Sequence, residues 1–398
     1  MIWDKHFGYD HQKHLDYILV AIFLAGLIGI FLRQPILYLL IGVFLVYLIL
    51  NVWFDRQVGQ GLTLYNEPMT IRLFPGEKGQ LTLRFRNDSR LPMVNGELGL
   101  RMKRIIRTVG YRGEEDHYWR RINIPLSIIG KKQTVLKLPF VAEKRGVTRI
   151  SHLDYTFPHL FNFQTVTLSY QPPYRTEILV YPELLPVSGI DVMFQMTPGV
   201  KRFIYSPFED VQSMLGTRDY DYSDPFQRIN WKASVKAGRL QTNVFEKVVD
   251  LSFLFLINLA DVSREQLETL LSYTAYLAEA VTKQGLPFEV YINARKPGAI
   301  PFVHVPEGSG QQHYRYTLDM LARIESESLT VPYSDMVYRI GLQLMKPRTI
   351  IFLGNMDEQT SMMVDRWKQH HQLYLVKTNK HEAILKPWIQ VNADANES

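Results

Sequence analysis

Residues 249–259 read VDLSFLFLINL, and residues 263–285, which follow almost at once, read SREQLETLLSYTAYLAEAVTKQG. The first is a nearly unbroken apolar run of strand length, as expected for a strand buried on both faces. The second opens on Ser263, which with Asp261 suits a helix N-cap, and its apolar spacing gives a core-facing helical stripe. The alternation then repeats. PFEVYINA, PFVHV, RTIIFLG and LYLVKT read as strands, and helices are expected near Tyr314–Ile324, Ser334–Leu344 and Asp357–His370. Apolar strands alternating with helices predict a mostly parallel, doubly wound α/β domain over residues 248–385, followed by a polar tail at 386–398.

Upstream the rhythm is different. MTIRLF, QLTLRFRN, GELGLRMKR, TVLKLPFV, QTVTLSY and TEILVY are short alternating segments separated by turn signals such as PGEKG and NDSRLP, so residues 57–186 predict an antiparallel β-sandwich. Within it, Glu114, Glu115 and Asp116 form an acidic turn between two basic arms expected to pair as a hairpin. Arg101, Lys103, Arg104, Arg107, Arg120 and Arg121 on those arms suit either a solvated, charge-paired strand face or contact with anionic lipid.

The first 56 residues point to a membrane. YILVAIFLAGLIGIFL (Tyr17–Leu32) and ILYLLIGVFLVYLILNVWF (Ile36–Phe54) are charge-free apolar runs, expected to span the bilayer at about 15–34 and 36–54 as a two-helix transmembrane hairpin. Arg33, Gln34 and Pro35 supply its turn. A cleaved signal is disfavoured by Asp4, Asp10 and Asp16 ahead of the first run and by the second run behind it. Lys5, Lys13 and Arg56 flank the outer ends against Arg33 alone in the turn, which favours both termini, and hence the soluble domains, in the cytoplasm.

The chain has 398 residues, a formal net charge of +6 and no cysteine. That length allows several domains. The lack of cysteine excludes disulfides, thiolate nucleophiles and cysteine-ligated metal centres. Basic residues are spread along the chain without a recognisable nucleic-acid-binding module, so nucleic acid is not an expected partner.

Between the two soluble domains, in the expected linker 187–247, lies GTRDYDYSDPFQRINWKASVKAGRL (216–240), whose first half has neither strand nor helix periodicity and reads as a loop built for side-chain contacts. Arg218, Tyr220, Asp224, Arg228, Ile229, Trp231, Lys232, Ala233, Ser234 and Leu240 fall on a pattern that resembles the signature of the bacterial family known as domain of unknown function 58. Ser223 stands where that family usually has glycine, and Lys236 where it often has arginine. The resemblance extends to the paired apolar runs, FRNDSRLP, EKRGVTRI and LVYPEL, so it covers nearly the whole chain. It implies a von Willebrand A-like identity for the α/β domain and a gene neighbourhood with a MoxR-type AAA ATPase and a transglutaminase-like membrane protein. It implies no reaction.

Physically, Arg218 and Arg228 offer planar donor forks, and Asp219, Asp221 and Asp224 are acceptors in the same loop. One reading is an internal Arg–Asp network with Trp231 as its apolar anchor. The other makes Arg218, Tyr220, Asp224, Arg228, Trp231, Lys232 and Ser234 a partner-binding surface or its support, since tryptophan, tyrosine and arginine dominate binding hot spots.

Chemical sites are less visible. A metal-adhesion motif D-x-S-x-S would fall on FLINLADVSRE, where Asn258 in one register leaves Ala260 and Val262 in place of serines, and Asp261 in the other keeps only Ser263, so no metal is expected. Phosphate-loop, zinc-peptidase and nucleophile-elbow strings are lacking. The pairs His370–His371 and His11–His14 suit solvated histidines better than ligands. The sequence therefore predicts a non-catalytic, membrane-anchored interaction subunit without cofactor, partnered by a MoxR-type ATPase. The alternatives are a metal-dependent ligand-binding protein, or an envelope enzyme using Asp221 and Asp224 as an acid–base pair.

Overall fold

A computed structural model describes residues 2–8, 11–32, 35–111, 113–162, 164–196, 209–247, 252–379 and 382–388. The chain divides into two compact units, Met1–Tyr181 and Pro182–Ser398.

The first unit opens with strand β1 (Trp3–Phe7), then helices α1 (His11–Leu32) and α2 (Pro35–Gln57). Strands follow as β2 (Leu62–Tyr65), β3 (Thr70–Leu73), β4 (Lys78–Asn87), β5 (Met93–Lys103), β6 (Ile106–Thr108), β7 (Gly113–Glu115) and β8 (Trp119–Ile128). β9 (Lys132–Ala142), β10 (Gly146–Arg149), β11 (His152–Pro158), β12 (Thr165–Tyr170) and β13 (Glu177–Val180) complete it.

Two antiparallel sheets, β1-β12-β11-β5-β8-β7 and β2-β4-β9-β6, share one apolar core. A small third sheet, β10-β13-β3, joins β13 to β3 in parallel. Alternation explains the layering. In β4, Leu81, Leu83 and Phe85 point inward while Thr82, Arg84 and Arg86 point to solvent. Tyr155, Phe85, Phe140 and Phe157 are fully enclosed, each contributing about 1.5–3 kcal/mol of burial free energy.

β1 is a strand that the sequence left unassigned, because WDKHF places Asp4 and Lys5 side by side at its centre and gains its place only by pairing with the edge of β12. α2 is long and apolar enough to cross a membrane, and little of it is buried: its side chains Leu39, Val43, Val46 and Ile49 are exposed. The apolar part of α1, Asp16–Phe31, is shorter. The Arg33–Gln34 turn lies outside the described residues.

The two basic arms pair as expected, β5 with β8 through Arg101↔Arg121 and Lys103↔Trp119, but Glu114 and Glu115 lie in strand β7 beside β8 and not in a turn between the arms. Their charges are not all solvated, however. Arg120 is buried, donates to Glu115 and to the Ile106 carbonyl, and so belongs to the core's edge.

The second unit begins with β14 (Val187–Ser188), α3 (Ile190–Met196), β15 (Glu209–Asp219), α4 (Trp231–Ala237) and β16 (Gln241–Lys247). It continues with β17 (Phe253–Ile257), α5 (Arg264–Lys283), β18 (Phe288–Arg295), β19 (Phe302–Gly308), α6 (Gly310–Arg323) and α7 (Tyr333–Gly341). β20 (Thr349–Leu353), α8 (Glu358–Asp365), β21 (Gln372–Asn379) and β22 (Glu382–Pro387) end it.

A seven-stranded sheet runs in the order β14-β22-β21-β20-β17-β18-β19. β18, β17, β20 and β21 are parallel, while β19 and β22 are antiparallel to their inner neighbours. All five residues of β17 and of β20 are buried, because helices cover both faces. Leu254, Leu256, Ile350 and Phe352 pack with Met336, Val337 and Ile340 of α7 and Val364 of α8. On the other face Phe288 meets His313 of α6. β22 reaches Pro387 and buries Trp388, whose indole donates to Asp365, so the sheet claims the start of the expected polar tail. The rest of that tail lies outside the described residues.

Candidate partner-binding site

Of the segment expected as a loop, residues 216–219 close a strand of a two-stranded ribbon, and residues 220–228 are the turn and 3-10 helix that the loop reading expected. β15 and β16 pair antiparallel through Thr217↔Asn243, Arg218↔Thr242 and Asp219↔Gln241. Register shifts between Asp210 and Gly216 bend the strand just ahead of this segment. The ribbon carries at its tip a turn and the short helix α4. Asn230 caps that helix by accepting from the Ala233 N–H at 3.0 Å, and Gly238, at φ +66°, closes it in the left-handed region.

Two hydrogen-bond systems hold the tip. In the first, Arg218 Nη2 meets Asp224 Oδ1 at 2.6 Å, the Asp221 N–H donates to Asp224 Oδ2, and the Tyr220 hydroxyl donates to the Asp224 carbonyl. In the second, the buried Ser234 hydroxyl donates to the Asn230 carbonyl and accepts from the Gln241 N–H, both at 2.8 Å. Ser234 therefore supports α4 from beneath and does not face a partner. Arg228 is half-buried with its guanidinium 5.9 Å from the Phe245 ring.

Trp231 is not the internal anchor of the first reading. Its position at the start of α4 leaves it 59% exposed, edge-on to Phe226, which is 67% exposed. Val235, one turn along, is 84% exposed, and Tyr222 is fully exposed. Lys232 is exposed beside them. Thus Arg218, Tyr220 and Asp224 form the scaffold, and Trp231 and Lys232 stand on the surface it holds. Phe226, Val235 and Tyr222 were missed by sequence reasoning, although Trp231 and Val235 at i, i+4 after a capping Asn230 carried the signal.

The carboxylates of the tip are structural acceptors. Asp221 accepts the backbone N–H and the hydroxyl of Ser223 at 2.9 Å, and these bonds, with Arg218 nearby, hold its carboxyl below the usual range. An ionised acceptor of this kind is a poor general acid.

At the C-terminal ends of the central strands of the α/β sheet, where order reverses on either side of β17, three asparagines close on one another. Asn258 Oδ1 accepts from Asn293 Nδ2 at 2.7 Å and from the Ala260 N–H, while Asn258 Nδ2 donates to the Asn355 carbonyl. Asn293 Oδ1 accepts from the Leu259 N–H. Gly354, at φ +95°, passes so close that a Cβ there would lie 2.4 Å from the Asn258 carbonyl oxygen. Ser263 caps α5 in a capping box with Gln266, and Asp261 lies in a left-handed turn. Amides satisfied by one another occupy the place where a metal-adhesion motif would put anionic oxygens.

At the opposite end of the central strands, Glu289 receives Arg348 and His304, and Arg348 also pairs with Glu307. Burial opposes the Glu289 charge, yet donors from His304, Arg348 and Tyr291 hold its carboxyl below the usual range. His371 accepts from the Arg348 N–H, and burial, with His370 and Arg348 close by, pushes its imidazole down to about 4.

No family model and no curated protein matches the chain. Among solved structures it is similar to a non-cellulosomal cohesin from Archaeoglobus fulgidus, at 10% identity and a TM-score of 0.20 over 34% of this chain and 98% of that one. It is also similar to a Salmonella alpha-2-macroglobulin mutant, at 15% identity and a TM-score of 0.19 over 31% of this chain and 7% of that one. A cohesin–dockerin complex from Clostridium thermocellum is similar at 8% identity and a TM-score of 0.19, over 30% and 99%. Likenesses this remote carry no argument about function.

Proposed function

We propose that the protein is a membrane-anchored, non-catalytic interaction subunit that captures a partner protein with the tip of the β15–β16 ribbon. The observation that carries this reading is the solvent-exposed cluster of Phe226, Trp231 and Val235 on a tip fixed by the Arg218–Asp224 and Ser234–Gln241 contacts. Exposed aromatics on a rigid support bind at low ordering cost.

Supporting the anchor are the apolar length of α2 and, as a second span, the apolar run of α1. Support for a von Willebrand A-like α/β domain comes from its strand order and from the single antiparallel strand beyond β18. By resemblance the partner is a MoxR-type AAA ATPase, with a transglutaminase-like membrane protein as a further associate. The flanking Lys5 and Arg56 favour cytoplasmic soluble units.

The test is mild crosslinking in intact cells, purification of the tagged protein from its membranes and identification of what co-purifies, for wild type, Trp231→Ala and Phe226→Ala. A cytoplasmic AAA ATPase captured by wild type and lost in both variants is the expected result. Equal capture by correctly folded variants, or binding of the tip to protein-free vesicles instead, overturns it.

A further inference from the structure

The register of the first unit sorts its basic residues into two ends. α2 meets the sheets where β11 turns into β12: Asp55 reaches His159, Asn51 receives Asn162, and Phe54 packs edge-on against Phe161. β11 pairs β5 with Thr156 opposite Glu97 and His152 opposite Arg101, so this joint lies at the Met93 end of β5. Arg101, Lys103 and Arg121, which the sequence offered to lipid, lie at the other end, roughly 30 Å away along the strand.

The end that α2 enters gathers other turns. The Asp88 N–H donates to the Gly61 carbonyl, the Lys131 N–H donates to the Ser89 carbonyl, and Met93 faces Ile128. These turns display Arg90, Lys131 and Lys132, and α2 adds Arg56, all four exposed and without an ion-pair partner among the described residues. The acids on these turns and on the end of α2 are engaged: Asp55 by His159, and Asp88 by Arg86. Ile129 and Leu160 are exposed among them, and Trp53 stands exposed on the last turns of α2, a position favoured by interfacial aromatics.

We propose that this end of the β unit is a headgroup-binding surface selective for anionic lipid, with Arg56, Arg90, Lys131 and Lys132 on phosphates and Ile129 and Leu160 dipping beneath them. This rests on the reading of α2 as a membrane anchor. The occupant follows from the geometry: the plane that α2 leaves is the plane these turns face, and their unmatched charge is positive.

The chain has no cysteine, so single labels can be placed at will. Full-length Ile129→Cys, His117→Cys and Val46→Cys variants, each carrying an environment-sensitive fluorophore, are reconstituted into vesicles of zwitterionic lipid alone or with anionic lipid. His117 reports the far end and Val46 the anchor helix. The expected result is a blue shift and lipid-quencher access at position 129 in anionic vesicles alone, lost at high salt or with Arg90→Glu, Lys131→Glu and Lys132→Glu combined, and an aqueous signal at 117 throughout. An aqueous signal at 129 while position 46 reports lipid overturns the headgroup surface alone, as does a shift at 129 that ignores lipid charge. An aqueous signal at 46 overturns the anchor reading itself.

Discussion

His159 and Asp55 meet at 3.0 Å, and the imidazole is held in one tautomer: its Nδ1 accepts from the Phe161 and Asn162 N–H groups, so Nε2 carries the proton toward the carboxylate. The ring is fully buried and lies 4.3 Å, edge-on, from Phe54. His159→Ala strands two backbone donors and opens a cavity, which predicts a loss of about 2–3 kcal/mol. Hydrogen exchange on the full-length protein in nanodiscs checks it, with the loss of protection concentrated at Phe161, Asn162 and the last turn of α2.

The two halves of the ribbon tip respond differently to truncation. Ser234→Ala leaves the buried Gln241 N–H without its acceptor and destabilises the tip by about 1–3 kcal/mol. Trp231→Ala, on the surface, stays within about 0.5 kcal/mol of wild type. Exchange protection of the Gln241 amide separates the two, and similar effects from both variants would contradict the arrangement.

The asparagine cluster predicts how the α/β unit answers to acid groups. Asn258→Asp removes the donor to the Asn355 carbonyl and sets a carboxylate against it, lowering stability by about 2–3 kcal/mol. Millimolar magnesium is expected to leave the melting temperature of this variant unchanged. Restoration of stability by magnesium would show that the surrounding groups can complete a cation site.

Acid weakens the same unit through His371. Its folded-state value, about 4, lies below the ordinary 6.5, so the unfolded chain takes up a proton first as the pH falls. The stabilisation is complete above about pH 6.5 and is lost as pH drops toward 4. Allowing for screening at a partly exposed ring, it amounts to about 1–2 kcal/mol. Glu289, also depressed, acts in the same direction at lower pH. Melting curves at pH 7 and pH 5 should differ less for His371→Gln than for wild type.

Most of the architecture was legible because one-dimensional pattern and burial coincide. β17 and β20 are apolar at every position and lie inside the sheet, and β4 alternates because one of its faces is wet. What escaped was decided by pairing partners distant in sequence. Trp3–Phe7 is a strand only because β12 offers a free edge, and Arg120 is buried only because Glu115 and the Ile106 carbonyl are waiting for it. In the ribbon, Arg218 and Asp224 were readable as partners, but the outward stance of Trp231 depends on how α4 sits on Ser234 and Gln241, which composition does not encode.

The joint between α2 and the β unit has no slack: the helix ends at Gln57, and β2 begins at Leu62. With Asn51, Phe54 and Asp55 already gripping the sheets, the helix and the β unit form a lever with its fulcrum at the interface. On the proposed reading of α2 as a membrane anchor, a change of about 10° in its tilt, of the kind that bilayer thickness imposes, swings the far Arg101 end by roughly 5 Å. On that reading, membrane thickness becomes a variable that the far end of this unit reports by displacement alone.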